Sequence, residues 1–311
     1  MCGIAGIIYR DGGGEHRVGH DMTLMLQAMK HRGPDSTGYA LYRSTQDSYV
    51  MHVKLAEANG HHEFDYDAQL RRQRRDVEAR VRELGAHIHD IVPATEHGMT
   101  MTFDHDGDLK RLADYVEDVR GVEVLSLGHS LEIVKDLGDA KTVASDYKLD
   151  GFVGTHAIGH ARMATESDVD IANAHPYWAY PFPDVAVVHN GQLTNYHQWR
   201  RRLERAGHRF QSDCDSEIIA VYLAERMAQG DSLEDSMRRS LDELDGVFTY
   251  ICVTEDALGM AKDELGAKPL VLYESDDIVA LASEEIAIRK VVDREIETYD
   301  PYESEVMVWT R

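Results

Sequence analysis

The chain has 311 residues, 56 of them acidic and 33 basic, for a formal net charge of −23. Such a chain buries a full core in one large domain or two small ones, and 43% apolar with 29% charged residues marks it as globular. The acidic excess argues against nucleic acid and anionic lipid as partners, the apolar runs are only strand length, the first residues argue against a secretory signal, and three sparse cysteines suit a reducing cytoplasm, with Cys214 and Cys252 expected as packing residues.

The chain begins Met1-Cys2-Gly3-Ile4-Ala5-Gly6. A start methionine before a residue as small as cysteine is normally removed, so Cys2 is expected as the mature N-terminus. It would then carry a thiol and a free α-amine, whose ordinary pKa is about 7.7–8.0. That amine can take the thiol proton directly or through one water, without a separate histidine base. A lone cysteine is thin support for chemistry, so the weight falls on the rest of the chain.

Gly3–Tyr9 is short and apolar and stops at Asp11-Gly12-Gly13-Gly14, which predicts a buried strand. Met22, Met25, Leu26 and Met29 have helical spacing and read as the core face of a helix. Arg32-Gly33-Pro34-Asp35 ends it, and Gly38–Tyr42 reads as the next strand. From about Leu55 to Leu149 the texture changes. Asp67–Leu84 and Leu109–Val119 read as amphipathic helices, and Met99–Phe103 and Val122–Leu127 as strands. His87 and His89 share one strand face but lack a third ligand, which favours surface histidines over a metal site. The runs Arg71–Arg75 and Arg200–Arg202 read as solvated helix faces.

Strand signal resumes at Gly154–Arg162 and Val185–His189. Helices follow at Asn195–Ala206, Ser216–Gln229 and Leu233–Leu244, the last with Ser232 as N-cap. Val247–Val253, Gly259–Asp263, Leu270–Glu274, Ile278–Ala282 and Val306–Trp309 read as strands. Elements come in blocks rather than in βαβ alternation, which predicts an α+β fold with stacked antiparallel sheets.

Three further segments stand out. Gly159-His160-Ala161-Arg162-Met163-Ala164-Thr165-Glu166 puts an arginine and a hydroxyl at the end of an apolar strand. His189-Asn190-Gly191 ends another, where an ordinary Asn-Gly turn would also fit. Asp213-Cys214-Asp215-Ser216-Glu217 leads into an apolar helix, as a plain capping sequence would. Each is unremarkable alone; together and in this order they are specific.

With Cys2-Gly-Ile-Ala-Gly, Arg32-Gly-Pro-Asp-Ser and Lys262-Asp…Gly266-Ala-Lys-Pro-Leu, this set resembles the class II glutamine amidotransferases. The motifs run from residue 2 to about residue 286. Ala164-Thr-Glu-Ser and Asn195-Tyr-His are most similar to the stand-alone amidotransferase subunits of glutamate-synthase-like enzymes, the N-methylglutamate synthase group among them. The resemblance implies a four-layer αββα sandwich of the N-terminal-nucleophile hydrolase type. It implies one amidotransferase domain over residues 2–311; the inserted or extended segment at about 55–149 is longer than such a core needs, and a docking surface or a cover over the site are the roles open to it.

It also implies site roles. Cys2 attacks the glutamine carboxamide, and Asn190 and Gly191 form the oxyanion hole. Arg162 pairs with the substrate α-carboxylate and Asp215 with its α-ammonium. Thr165 supports the amino-acid end, and Arg32 braces the loop near the nucleophile. His189 reads as structural. No cofactor or metal is expected on this chain, and the acceptor chemistry falls to a flavin-containing partner subunit. Glu166-Ser167 stand where several relatives carry His-Gly, which leaves the handling of substrate or partner by that loop open. The rival readings are an amidase or peptidase on the same scaffold and a non-catalytic glutamine-sensing subunit.

Overall fold

The structure, a computed structural model, describes residues 2–11, 14–56, 65–95, 97–163, 171 and 173–311. In chain order, β1 (Gly3–Tyr9), α1 (Val18–Ala28), β2 (Ser36–Tyr42) and β3 (Tyr49–Lys54) are followed by α2 (Tyr66–Glu83), β4 (His87–Thr95) and β5 (Gly98–Asp104). Next come α3 (Leu109–Glu117), β6 (Glu123–Gly128), β7 (Leu131–Leu137), α4 (Ala140–Asp146), β8 (His156–Arg162), β9 (Tyr177–Trp178) and β10 (Ala186–Leu193). The helices α5 (Tyr196–Arg205), α6 (Asp215–Ala228) and α7 (Leu233–Glu243) precede β11 (Gly246–Val253), β12 (Ala257–Lys262), β13 (Val271–Glu274) and β14 (Ile278–Ala282). The chain closes with α8 (Glu285–Ile288) and β15 (Val306–Thr310).

Alternation along β1 sets the layering. Ile4 and Ile8 belong to one core, Ala5 and Ile7 to another on the opposite face. The first core lies between two sheets, one of six strands in the order β13-β14-β1-β8-β2-β7 and one of five in the order β15-β12-β11-β10-β9. At Gly6 a Cβ would already touch Leu258 and Ile251 of the facing sheet at 3.2 and 3.3 Å, so the sheets stack closely there. The outer face of the first sheet is covered by α1, α4 and α8, and that of the second by α5, α6 and α7. Every described strand pair is antiparallel. This is the α+β, four-layer αββα sandwich that the sequence implied.

A third sheet, ordered β4-β5-β3-β6, carries α2 and α3 on its apolar face. It arises inside one hairpin: β2 pairs directly with β7, and the Arg43 N–H donates to the Ser130 carbonyl at 3.0 Å where the chain leaves and returns. Residues 55–149 hold most of this sheet, together with β7 and α4, which belong to the first sheet and its helix layer. His87 and His89 stand exposed on β4, and Arg71, Arg72 and Arg75 face solvent on α2. Among the described residues no helix is long and apolar enough to cross a membrane.

The re-entry turn is fastened by one carboxylate. Asp184, buried and with φ of 58°, accepts the backbone N–H groups of His129, Ser130 and Leu131 at 2.8, 2.9 and 2.9 Å, and the Ser130 hydroxyl at 3.0 Å. Removing it would orphan several buried donors, each a loss of about 1–3 kcal/mol before relaxation. Asp184→Ala is therefore expected to lower the unfolding midpoint in denaturant, with a total loss of about 3 kcal/mol. An unchanged midpoint would show that this turn holds itself.

Candidate active site

The parity that sends Ile4 and Ile8 between the sheets also governs the facing strands. On β8, Ile158 lies in the inter-sheet core, so His160 and Arg162 continue that face toward the strand end. On β10, Ala186 and Val188 do the same, and Asn190 is the next residue on that face. Apolar rows from both sheets thus end in polar side chains at one rim, and Cys2 sits immediately before β1 at that rim.

The contacts around Cys2 are direct. Its carbonyl accepts the Arg32 Nε–H at 3.0 Å and an Asn190 Nδ2–H at 3.3 Å. The Met163 N–H points to its sulfur at 3.4 Å, and the thiol lies 3.7 Å from the Met163 carbonyl. Arg32 is held in turn by Glu284 at 2.7 Å. Ser283 bridges the sheets: its Oγ accepts Ile4 N–H at 3.0 Å and Asn190 Nδ2–H at 3.2 Å, while its own N–H donates to the Ile4 carbonyl at 2.9 Å. Burial would raise the carboxyl pKa of Glu284, but hydrogen bonds from Arg32 and His31 outweigh it and hold the group below its ordinary value.

Local sequence explains the close fit. Gly33 leaves no room for a side chain, since a Cβ there would fall 2.4 Å from the Ala161 carbonyl oxygen. The Asp35 N–H donates to the Arg162 carbonyl at 3.1 Å, so Arg32-Gly33-Pro34-Asp35 clasps the end of β8. Arg162 is buried there, opposite Ser36 of β2. At Gly191 φ is +139° and a Cβ would meet the Val247 carbonyl oxygen at 2.0 Å, so only glycine fits. The expectation that β10 ends at His189-Asn190-Gly191 is corrected: pairing continues to Leu193 against Gly246, and Asn190-Gly191 is not a turn. The ladder with β11 keeps both residues paired, opposite Thr249 and Phe248.

Asp215 begins α6, where a carboxylate suits the helix dipole. Its Oδ2 accepts the Leu193 N–H at 2.7 Å, and its Oδ1 lies 3.9 Å from His189 Nδ1. The structure therefore brings Cys2, Arg32 and Asn190 into contact, adds Arg162 and Gly191 as neighbours of contacting residues, and ties Asp215 to the same stretch of β10. Thr165 lies outside the described residues, as do Met1, Glu166 and Ser167. Among the described residues, no group of three or more His, Cys, Asp or Glu could hold a metal ion. A cavity of about 530 Å³ opens elsewhere, near Arg43, His52 and Glu132. Its lining contains no cysteine.

The sequence alone assigns no role to four supporting residues: His175, Ser283 and Glu284, and Ser216 within the Asp213–Glu217 segment. Ser283-Glu284 look like an ordinary stop after an apolar strand, and only the fold brings them to Cys2. Behind Asn190, Ser216 Oγ lies 2.6 Å from His175 Nε2 and 2.7 Å from His189 Nδ1. A hydroxyl carries one proton, so at least one ring donates to it. His160 stacks on His175 with ring centroids 4.1 Å apart. On the next strand, Thr249, the cross-strand partner of Asn190, donates to the Lys268 carbonyl at 3.1 Å, which docks the Lys262–Leu270 motif beside the site.

All three rings are buried, and burial is the chief cause that lowers each imidazole: His160 to about 3, His175 well below its ordinary value, and His189 also downward. The unfolded chain takes up protons on these rings below about 6.5, whereas the folded His160 resists until about 3. The stability contributed by keeping them neutral is thus present above that upper value and lost as pH falls toward the lower one. Denaturant unfolding followed between about pH 7 and pH 4 should show this decline, and His160→Gln should flatten it. Equal slopes for the variant and the parent would contradict the neutral state of His160.

Comparison with known proteins agrees with this architecture. Residues 160–290 match the family model described as a glutamine amidotransferase domain. A Methanothermobacter thermautotrophicus protein named as a glutamine amidotransferase is 40% identical over 314 residues, covering 98% of this chain and 99% of that protein. The glutamine amidotransferase-like protein GlxB of Rhizobium meliloti is 34% identical over 311 residues, covering 99% and 98%. Among solved structures, the glutamine phosphoribosylpyrophosphate amidotransferase of B. subtilis superposes with a TM-score of 0.62 at 19% identity. That match covers 99% of this chain and 47% of the solved one, so it speaks for the fold alone. By its full-length relatives, this chain belongs to the glutamine amidotransferases.

Proposed function

We propose that the chain is a glutaminase subunit that converts L-glutamine to glutamate and ammonia through a thioester on Cys2. The observation that carries this reading is the convergence of Arg32 and Asn190 on the Cys2 carbonyl, with the sulfur against the backbone of Met163 at the end of β8. With Met1 removed, the α-amine takes the thiol proton and sulfur attacks the carboxamide carbon. The Asn190 amide and the Gly191 N–H stabilise the oxyanion, and the amine returns its proton to the departing nitrogen as ammonia leaves. Water, deprotonated by the same amine, then attacks the thioester; the thiol is regenerated and glutamate released.

At the other end of the substrate, Arg162 holds the α-carboxylate and Asp215 the α-ammonium, with Thr165 supporting them. A ligand lacking either charge leaves a partner unpaired, which selects a free amino acid over a plain amide or peptide. Arg32 holds the carbonyl of Cys2 and so orients the nucleophile. The nitrogen then passes to a partner synthase subunit, of the flavin-containing, glutamate-synthase-like kind, in the cytoplasm. What supports the amidotransferase part of this reading is the match to two amidotransferase-named relatives over nearly their whole length.

Ammonia release from glutamine by the purified chain tests this. Cys2→Ala should abolish it, and Asn190→Ala should lower kcat by about 10²–10³. Cys2→Ala hydrolysing at the parental rate would refute the mechanism. The working base is the neutral amine, so the rate should rise with pH through a value near that of an α-amine, about 7.7–8.0 when unperturbed. An uncleaved N-terminal extension should collapse the rate while glutamine still binds. Full activity with that extension in place would move the base elsewhere, with His189 the first candidate.

A further inference from the structure

Among the described residues, the loop before Asp215 carries the main contacts between the third sheet and the substrate end of the site. Residues 207–214 join α5 to α6 and deliver Asp215. Glu217, almost fully buried, ties the loop to its own helix by accepting the Gln211 N–H at 2.8 Å, the Ser212 N–H at 2.9 Å and the Ser212 hydroxyl at 2.7 Å. Arg200 of α5 adds the Ser212 carbonyl at 2.7 Å and Asp213 at 3.2 Å, which makes it a brace rather than part of a solvated face.

The outer grip comes from the third sheet. Gln211 Nε2 donates to Glu117 at 2.6 Å and to the Val124 carbonyl at 3.0 Å, while the Val124 N–H donates to the same Glu117 oxygen at 2.7 Å. Arg209, two residues earlier, pairs with Glu117 and with Asp114 at 2.8 Å, and its guanidinium lies 4.4 Å over the Tyr180 ring. A second link runs through Lys135 of β7, 3.8 Å from Glu123, which Lys54 holds at 2.6 Å.

Glu117 is badly placed for its own helix. It is the last residue of α3, at the negative end of the dipole, and its side chain is only 7% exposed. Burial pushes its carboxyl up to about 7 against the pull of Arg209. Local helix stability does not account for a carboxylate in that position; reception of Gln211 and Arg209 does.

Resting on the glutaminase reading, we propose that Glu117 and Gln211 are positioning residues that couple the third sheet to Asp215 and thereby set the affinity for the glutamine α-ammonium. Cys2, Asn190 and Gly191 stand on other elements, so loosening the loop should weaken substrate binding and spare the chemical step. The Gln211→Ala chain should show KM for glutamine raised about fivefold or more, with kcat near that of the parent. Glu117→Gln, which keeps the acceptor oxygen but loses the charge facing Arg209, should raise KM less. The double variant should fall short of the product of the single effects, because both break one network.

Alkylation of Cys2 by a small neutral thiol reagent, which lacks an amino-acid end, should proceed at the parental rate in all three. Parental KM in both single variants would overturn the coupling and leave the glutaminase reading intact. So would a parallel fall in kcat and in alkylation rate, which marks general damage. A parent chain that releases no ammonia would defeat the glutaminase reading, and this proposal with it.

Discussion

Two sheets stacked face to face allow each strand only one face for the core between them, and the site exists where that face stops being apolar. Ile4 and Ile8 of β1, Ile158 of β8, and Ala186 and Val188 of β10 fill the interior. At the same rim the rows change to Cys2, then His160 and Arg162, then Asn190. Antiparallel register fixes the coincidence. Gly3 stands opposite Ala161 and Ala5 opposite Ala282, so a slip of one residue on β1 would turn Cys2 toward the helices. Hydrophobic burial, the largest favourable contribution to folding, thus also determines where Cys2 sits.

Polar groups at that rim are organised by reciprocal bonding rather than by charge alone. Ser283 joins Ile4 to Asn190, Arg32 joins Cys2 to Glu284, and Ser216 joins His175 to His189. Burial lowers the pKa of each ring behind Asn190, which opposes buried cations beside Arg162. On the proposed reading, Arg162 and Asp215 together would match a zwitterionic amino acid. An amide bearing no charges would gain nothing from them.

Much of this was legible in the residues because the signals are local. The helical spacing of Met22, Met25, Leu26 and Met29 marks α1, Ser232 caps α7 through the Asp235 N–H at 3.0 Å, and the run from Gly3 to Tyr9 is β1. The strands β3 and β7 were not legible, because charged residues interrupt their apolar pattern. Lys54, Lys135 and Glu132 are buried, and each is paired: Lys54 and Lys135 with Glu123, Glu132 with His52 at 2.9 Å and with Arg43. Such charges look like surface until their partners are brought in from elsewhere in the chain. β4 escaped for the opposite reason, since it lies at a sheet edge with both faces partly exposed and shows no alternation. At the site itself, motif residues could be read from the chain, whereas Ser283, Glu284 and the Glu117–Gln211 contact depend on pairings far apart in sequence.

The central claim is that Cys2, and neither of the other cysteines, is the nucleophile. Cys252 is buried, and burial holds the thiols of both Cys214 and Cys252 above their ordinary values. Peptide mass analysis after exposure to an electrophilic glutamine analogue reads this directly. One adduct is expected, on the N-terminal peptide beginning at Cys2, and excess glutamine should prevent it from forming. An adduct on Cys214 or Cys252, or labelling of Cys2 that glutamine does not slow, would contradict it.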